Sequence, residues 1–239
     1  MSIRLGIEVT HTKYRLVCQV QGIISRVKGH DMKPYDQSRR KLLRGITGIM
    51  GASTLGAKAA AAVLTPGAAE GPYYPTPAMR TRDTDNDLVK IRDRVEEAGG
   101  EVFTLRGTLT AANGQPLARH RIEIWQCDMD GNYMHPRDRR SANFDQAFQG
   151  FGHDVTDEGG NFQFRTIKPA IYPGRTPHIH VKVFGKNREL LTTQFYIKGH
   201  PNNARDALFN RMSKAEANAV SMEFVQGAIG PEATVNIVV

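Results

Sequence analysis

The chain has 239 residues, 40% of them apolar, with a formal net charge of +8; that is enough apolar side chain for one sizeable core. Residues 1–69 hold 11 of the 32 Lys and Arg and 3 of the 24 Asp and Glu, while residues 70–239 hold 21 of each sign. A neutral domain behind a basic leader argues against nucleic acid as the domain's partner, no apolar run approaches the roughly 18 residues of a membrane span, and with Cys18 in the leader the domain keeps only Cys127 and no internal disulfide.

Residues 1–31 carry weak alternation at Tyr14, Leu16, Cys18 and Val20, and no motif. Met32 precedes Ser38 at the distance expected for the start of a signal, so residues 1–31 read as an over-extended start. Ser38-Arg39-Arg40-Lys41-Leu42-Leu43, followed by the Gly- and Ala-rich stretch Ile46 to Leu64, resembles a twin-arginine export signal. That resemblance makes residues 32–69 a signal segment, implies the export machinery as a partner, and puts the mature protein in the periplasm or outside the cell. The same residues would also suit a basic amphipathic helix.

From Tyr73 to Arg94 the chain is Pro-rich and then charged, an extended lead-in that Glu96 to Gly100 closes. Beyond Val102 the pattern is all-β. Alternation marks Phe103 to Leu105 and Thr108 to Thr110; Asn113-Gly114 predicts a hairpin turn. Ile122 to Trp125 is the next strand, and it ends in an Asp130-Gly131 turn. After a turn at Asp157 to Gly160, Phe162, Phe164 and Thr166 face inward between Asn161, Gln163 and Arg165. His178 to Phe184 and Leu191 to Tyr196 follow, separated by a polar turn at Gly185 to Asn187. Ala204 to Phe224 holds a short helix, and Val235 to Val238 is the last strand. Short strands with Gly-rich turns predict a β-sandwich over residues 70–239, with an extended N-terminal segment and long loops.

The most informative stretch is Tyr172-Pro173-Gly174-Arg175-Thr176-Pro177-His178-Ile179-His180. On a strand, His178 and His180 leave the same face. Two neutral imidazoles side by side make a metal chelate. Tyr172 lies across a Pro-Gly turn and can fold back on them, with Arg175 in the turn. A second stretch, Trp125 to His135, presents Tyr133 just past its own turn. His135, His153 and His200 read as solvated histidines in polar turns, and Arg137 to Arg140 as a solvated loop or, as a minority reading, an acid clamp. Trp125 reads as core. Tyr73 and Tyr74 either line a pocket mouth or pack on the sandwich.

Together these stretches resemble the intradiol ring-cleavage dioxygenases, the catechol and protocatechuate 3,4-dioxygenase family. Glu70-Gly71-Pro72-Tyr73-Tyr74 matches the opening of that family's domain. The resemblance implies a non-haem Fe(III) held by Tyr133, Tyr172, His178 and His180, with Tyr172 and His180 axial. It makes Arg175 the active-site arginine and Gln194 the active-site glutamine. It implies a small aromatic diol and O2 as substrates. The diol loses its protons to a hydroxide and to Tyr172, and its ring opens between the hydroxyl-bearing carbons to a cis,cis-muconate-type diacid. The connection from Tyr172 to His178 is shorter than in protocatechuate dioxygenases and lacks their tryptophan-bearing loop, so the motif leaves the choice of diol open, as it does the oligomeric state. The rival readings are a non-catalytic β-sandwich binding module, or a zinc or copper site on the same fold.

Overall fold

Alternating apolar residues become strands wherever one face can be buried. In the computed structural model, which describes residues 62–80 and 83–239, β1 (Val102–Thr110) buries Phe103, Leu105 and Leu109. The expected over-extended start and the Ser38 to Leu43 motif lie outside the described residues.

Two five-stranded sheets pack face to face. In the first, β1 pairs antiparallel with β4 (Asn161–Ile167) and parallel with β9 (Pro231–Thr234) and β10 (Ile237–Val238); β8 (Phe224–Gln226) lies beyond β9. The second runs β3 (Phe151–Val155), β2 (Arg121–Trp125), β5 (His178–Phe184), β6 (Glu189–Ile197) and β7 (Ser221–Met222). Ile122, Ile124, Ile179, Val181, Val183 and Phe195 meet Phe103, Leu105 and Phe164 between the sheets. The all-β sandwich expected from the alternation is the observed fold. One short helix, α1 (Lys214–Ala219), starts at Ser213 with a capping box completed by Glu216.

Asn113-Gly114 forms the expected hairpin turn, with Gly114 at positive φ, an antiparallel bridge from Thr110 to Pro116 and the Ala111 amide donating to the Gln115 carbonyl. Its return arm ends before β2, which lies in the other sheet, so the turn is also a corner of the sandwich. One expectation needs correction. His153 sits on β3, not in a turn. Its strand carries Gly152, where a side chain would strike the Asp85 carbonyl and Leu88; that packing breaks the alternation a strand reading relies on.

The outer face of the second sheet is not left to water. Residues 65–80 run across it as an extended strap. Thr65 exchanges hydrogen bonds with Val238, through its amide and its hydroxyl (3.0 and 2.9 Å). The Ala68 amide donates to the Thr192 carbonyl (2.8 Å), and the Thr193 hydroxyl donates to the Pro66 carbonyl (2.8 Å). Thus residues 65–69, grouped with the leader on composition, are hydrogen-bonded to β6 and β10.

Candidate metal centre

His178 and His180 project from the outer face of β5, because a strand sends alternate side chains the same way. Their neighbours on that face are set by register: Trp125 on β2 lies opposite His180 on one side and Gln194 on β6 on the other, and Tyr196 lies opposite His178. Trp125 is fully buried, yet it belongs to this face and not to the inter-sheet core, stacking on the His180 ring at 4.7 Å and 10°. The expectation of a core tryptophan held for burial, and the register of β2 explains the different face.

Tyr172 reaches the same place through a tight turn. Pro173 and Gly174 occupy its two central positions, Gly174 has φ +82°, and the Arg175 amide donates to the Tyr172 carbonyl at 3.1 Å. Tyr133 arrives on a separate loop. Asp128 organises that loop by accepting from the amides of Asp130, Asn132 and Asp145 (2.8–3.0 Å). Asp138 then accepts from the Tyr133 amide itself at 2.8 Å. The Arg137 to Arg140 run is therefore only partly a solvated loop: its Asp138 is buried and holds the tyrosine backbone. The two tyrosine loops touch at Gly131, where any Cβ would sit 2.4 Å from the Ile171 carbonyl oxygen. Only glycine lets them approach so closely.

The four ring systems converge. The Tyr133 and Tyr172 rings lie 5.4 Å apart and perpendicular, Tyr172 is 5.4 Å from His178, and Tyr133 is 6.3 Å from His180. The Nε2 atoms of His178 and His180 are 3.1 Å apart. His178 Nδ1 lies 2.7 Å from the Thr176 carbonyl, which can only accept. The proton is therefore on Nδ1, and the Nε2 lone pair points into the site. The Tyr133 hydroxyl and His180 Nδ1 are buried and have no hydrogen-bond partner. Tyr73, from the strap, stacks on Tyr133 at 4.5 Å and packs edge-on against Tyr172 at 6.2 Å.

Burial, followed by the Arg175 charge, pushes the His178 imidazole down to about 3. Burial, then the neighbouring His178 and Arg175, holds His180 well below the usual histidine range. Both rings are thus neutral at neutral pH. Burial drives the Tyr133 phenol well above its ordinary value, and it raises Tyr172 too, although Arg175 opposes that rise.

Arg175 is held from several sides. Its Nη1 is 3.4 Å from both the Tyr172 hydroxyl and His178 Nε2, and its Nη2 donates to Gln194 Oε1 at 2.6 Å. The Gln194 amide nitrogen donates back to the Ala69 carbonyl (3.2 Å), which fixes the amide so that its oxygen faces Arg175. The Tyr196 hydroxyl donates to the same oxygen at 3.0 Å. The remaining anchor is Asp206, which sequence reasoning missed. Its Oδ2 accepts from Arg175 Nε (2.8 Å) and the Thr176 amide (3.0 Å), and its Oδ1 accepts from the amides of Leu208 and Phe209 (2.9 and 3.0 Å). Burial alone would raise its carboxyl, but these amide donors and Arg175 bring it below the usual carboxylate range. Burial works against the Arg175 charge, and the Asp206 hydrogen bond together with the charges of Tyr172, Asp206 and Tyr196 outweighs it.

All six residues singled out in the sequence, Tyr133, Tyr172, Arg175, His178, His180 and Gln194, meet at this one place. The other histidines do not. The His135 Nδ1 accepts from the Arg137 amide at 3.1 Å and its ring comes no nearer the site than 6.0 Å from Tyr73, and His200 accepts from the Asn202 amide at the start of the 3-10 turn Pro201–Arg205. Among the described residues, no group of three or more His, Cys, Asp and Glu offers another metal site. An open groove of about 700 Å³, lined by Ala69, Leu191, Leu208 and Met212, reaches Gln194 and Tyr196.

The sequence model of a family described as Dioxygenase matches residues 69–234. The chain is 34% identical over 148 residues to the protocatechuate 3,4-dioxygenase beta chain of Burkholderia cepacia, a match that spans 59% of this chain and 63% of the relative. It is 30% identical over 157 residues to a catechol 1,2-dioxygenase of Acinetobacter baylyi, spanning 57% of this chain and 47% of that one. The chain therefore covers less than two thirds of these curated relatives' length. Among solved structures, the dioxygenase domain of a dioxygenase–carbohydrate-binding protein fusion from Streptomyces sp. SirexAA-E superposes with a TM-score of 0.57 at 32% identity, over 74% of this chain and 98% of that one.

Proposed function

The chain belongs to the intradiol dioxygenase family, and from that we infer that Tyr133, Tyr172, His178 and His180 hold a non-haem Fe(III) and that the protein opens a catechol-type ring between its two hydroxyl-bearing carbons. The observation that carries this reading is the convergence of two phenol rings and two imidazole rings, Tyr133, His178 and His180 buried and Tyr172 partly so, with the Tyr133 hydroxyl left unpartnered.

The donor set fits ferric iron. In the protein alone, the two Nε2 atoms at 3.1 Å can share a hydrogen bond only if His180 carries its proton on Nε2; a cation between them would take both lone pairs. The two phenols are held protonated by burial, which is costly to reverse without a positive charge beside them. A bound cation inverts that balance, as zinc does for a thiol. Two phenolates would suit a hard trivalent ion, and they distinguish this set from the two-histidine-one-carboxylate sites that use Fe(II).

Bound there, Fe(III) would supply a Lewis acid that draws charge from the diolate ring and prepares it for O2. The protein's own residues do the rest. As the phenolate that a bound cation would favour, the Tyr172 oxygen would accept a proton from the arriving diol; in the turn beside it, nothing lies within 4 Å of where a side chain at Gly174 would begin. The Arg175 Nη1 group faces the Tyr172 oxygen and the His178 nitrogen, where it meets the negative charge that develops as the ring becomes ketonic. Gln194 keeps that guanidinium aimed. Tyr73, stacked on Tyr133, closes one wall against water.

The test is metal analysis and spectroscopy of the purified protein, followed by oxygen uptake with catechol, hydroxyquinol and protocatechuate. The expected result is one iron per chain, a burgundy tyrosinate-to-iron band and uptake with at least one diol. A colourless zinc protein with no uptake would refute the reading.

We further propose that the segment from Met32 directs export as a folded protein through the twin-arginine route. Replacing Arg39 and Arg40 by Lys should leave the protein in the cytoplasm on cell fractionation; unchanged export would remove this reading.

A further inference from the structure

One row along the sheet from Trp125 and His180, Glu123 on β2 lies directly opposite Lys182 on β5. Both side chains point to the outer face, and both residues are buried. Opposite charges at paired positions ordinarily bond to each other. Here no ion pair joins them. Each reaches instead to the strap that crosses above.

Glu123 Oε2 accepts from the Tyr74 hydroxyl at 2.5 Å. Its other oxygen takes Arg121 Nε at 2.8 Å and faces Arg80 at 3.6 Å. Arg80 also donates to the Tyr74 hydroxyl (3.0 Å) and lies over the Phe151 ring (4.4 Å). Lys182 pairs with Glu70 of the strap and with Glu189 of β6 (3.1 Å), and its ammonium sits 4.2 Å from the centre of the Tyr74 ring. Both ends of the segment from Glu70 to Arg80 are thus tied to the two charged residues of the sheet.

What lies between those ties borders the metal centre. Gly71 passes so near His180 that a methyl there would sit 3.4 Å from the ring. Tyr73 stacks on Tyr133. Tyr74 packs edge-on against Trp125 at 4.9 Å, and Trp125 stacks on His180. Within the sheet each keeps one partner, Arg121 for Glu123 and Glu189 for Lys182; the strap adds the Tyr74 hydroxyl and Glu70 and covers both groups from water, so their burial goes with the strap being down.

We propose that Glu123 and Lys182 are positioning residues: they latch residues 70–80 onto the outer face of the second sheet and so seat Tyr73 on Tyr133 as a wall of the metal centre. The role of that wall rests on the function inferred above; the latch itself does not. A released strap would lift Tyr73 and open the site beside the ligand tyrosines without touching a ligand. The consequence falls on substrate binding rather than on the chemical step.

The experiment uses the full chain as isolated, with Tyr74→Phe, Glu123→Gln and Lys182→Gln variants. Tyr74→Phe removes one hydroxyl, keeps the ring on Trp125, and decides the matter where a charge variant fails to fold. Hydrogen exchange is measured for the amides of residues 68–80 and, separately, of β2 and β5. Catechol KM and kcat are measured in parallel. The latch requires strap amides to exchange at least tenfold faster while β2 and β5 amides are unchanged, and KM to rise severalfold with kcat within twofold of the parent. Unchanged strap exchange overturns it. So does faster exchange throughout β2 and β5, which would make the network a support of the sheet. If no diol is turned over by the parent, the functional reading fails, and the exchange measurement still decides the latch.

Discussion

Ile179, Val181 and Val183 on one face of β5 are 0% exposed, and His178, His180 and Lys182 on the other are 1%, 1% and 5% exposed. The burial is the same and the means are opposite. The inner face is buried by a second sheet, with apolar contacts that have no direction and contribute in proportion to area. The outer face is buried by a strap and two loops through directed polar contacts, and three buried polar atoms there, the Tyr133 hydroxyl, His180 Nδ1 and Trp125 Nε1, have no hydrogen-bond partner. The inner face shows what holds the domain together. On the function proposed above, the outer face puts the same burial to chemical use, because charge that develops away from water is strongly felt.

The most drastic way to break this symmetry is a pair of substitutions on adjacent residues. His180→Ala should abolish iron binding and oxygen uptake while the sandwich still folds. Ile179→Ala should cost about 2–5 kcal/mol of stability yet keep its iron per folded molecule. Metal analysis and urea melts of the two variants give the comparison directly; iron retained by His180→Ala would remove that histidine from the ligand set.

Next in size is Arg175→Ala. It should retain iron and colour and lose turnover on the order of a hundredfold, equivalent to about 3 kcal/mol of transition-state stabilisation. Steady-state oxygen uptake checks this, and an unchanged rate would take Arg175 out of the mechanism.

The two tyrosines sharpen the comparison within the outer face. Tyr172→Phe should keep part of the iron and bind catechol more slowly by about tenfold or more, since removing a positioned base typically costs at least that much. Tyr133→Phe should alter the resting and the catechol-bound spectra alike. Anaerobic stopped-flow mixing separates them; parental binding rates in Tyr172→Phe would reverse the two assignments.

The smallest effect is expected at Asp206. Asp206→Asn leaves a donor facing Arg175 and backbone amides, and should cost about 1–3 kcal/mol in stability. Turnover should fall less than in Arg175→Ala, because Gln194 still holds the guanidinium. A turnover loss as large as that of Arg175→Ala would make Asp206, not Gln194, the main support.

The meeting of Tyr172, His178 and His180 was legible because its signals are local. His178 and His180 are two apart on a β-branched strand, and Tyr172 is bound to them by a Pro-Gly turn whose geometry the residues dictate. The strand boundaries at His178 and Phe184 were legible for the same reason. Asp206 was not, since it lies 31 positions from Arg175 and its meaning comes only from where the chain returns. Glu123 and Lys182 read as the solvent side of two half-buried strands. Nothing in β2 or β5 announces that a third segment covers them. The short β7, β8 and β9 were missed because two to four residues are too few to show a period.

The strap's first tie has a consequence for how the molecule is made. Thr65 bonds to Val238, 173 positions downstream, and the parallel partners of β1 are equally remote. A chain emerging from the ribosome presents the strap early and its anchor very late. Until β9 and β10 are synthesised, the first sheet is incomplete and Thr65 has nothing to hold. Pairings of such long sequence separation form slowly. The Thr65 tie therefore forms only after translation has passed residue 238, whereas the ties of Ala68, Glu70 and Tyr74 need nothing beyond β6.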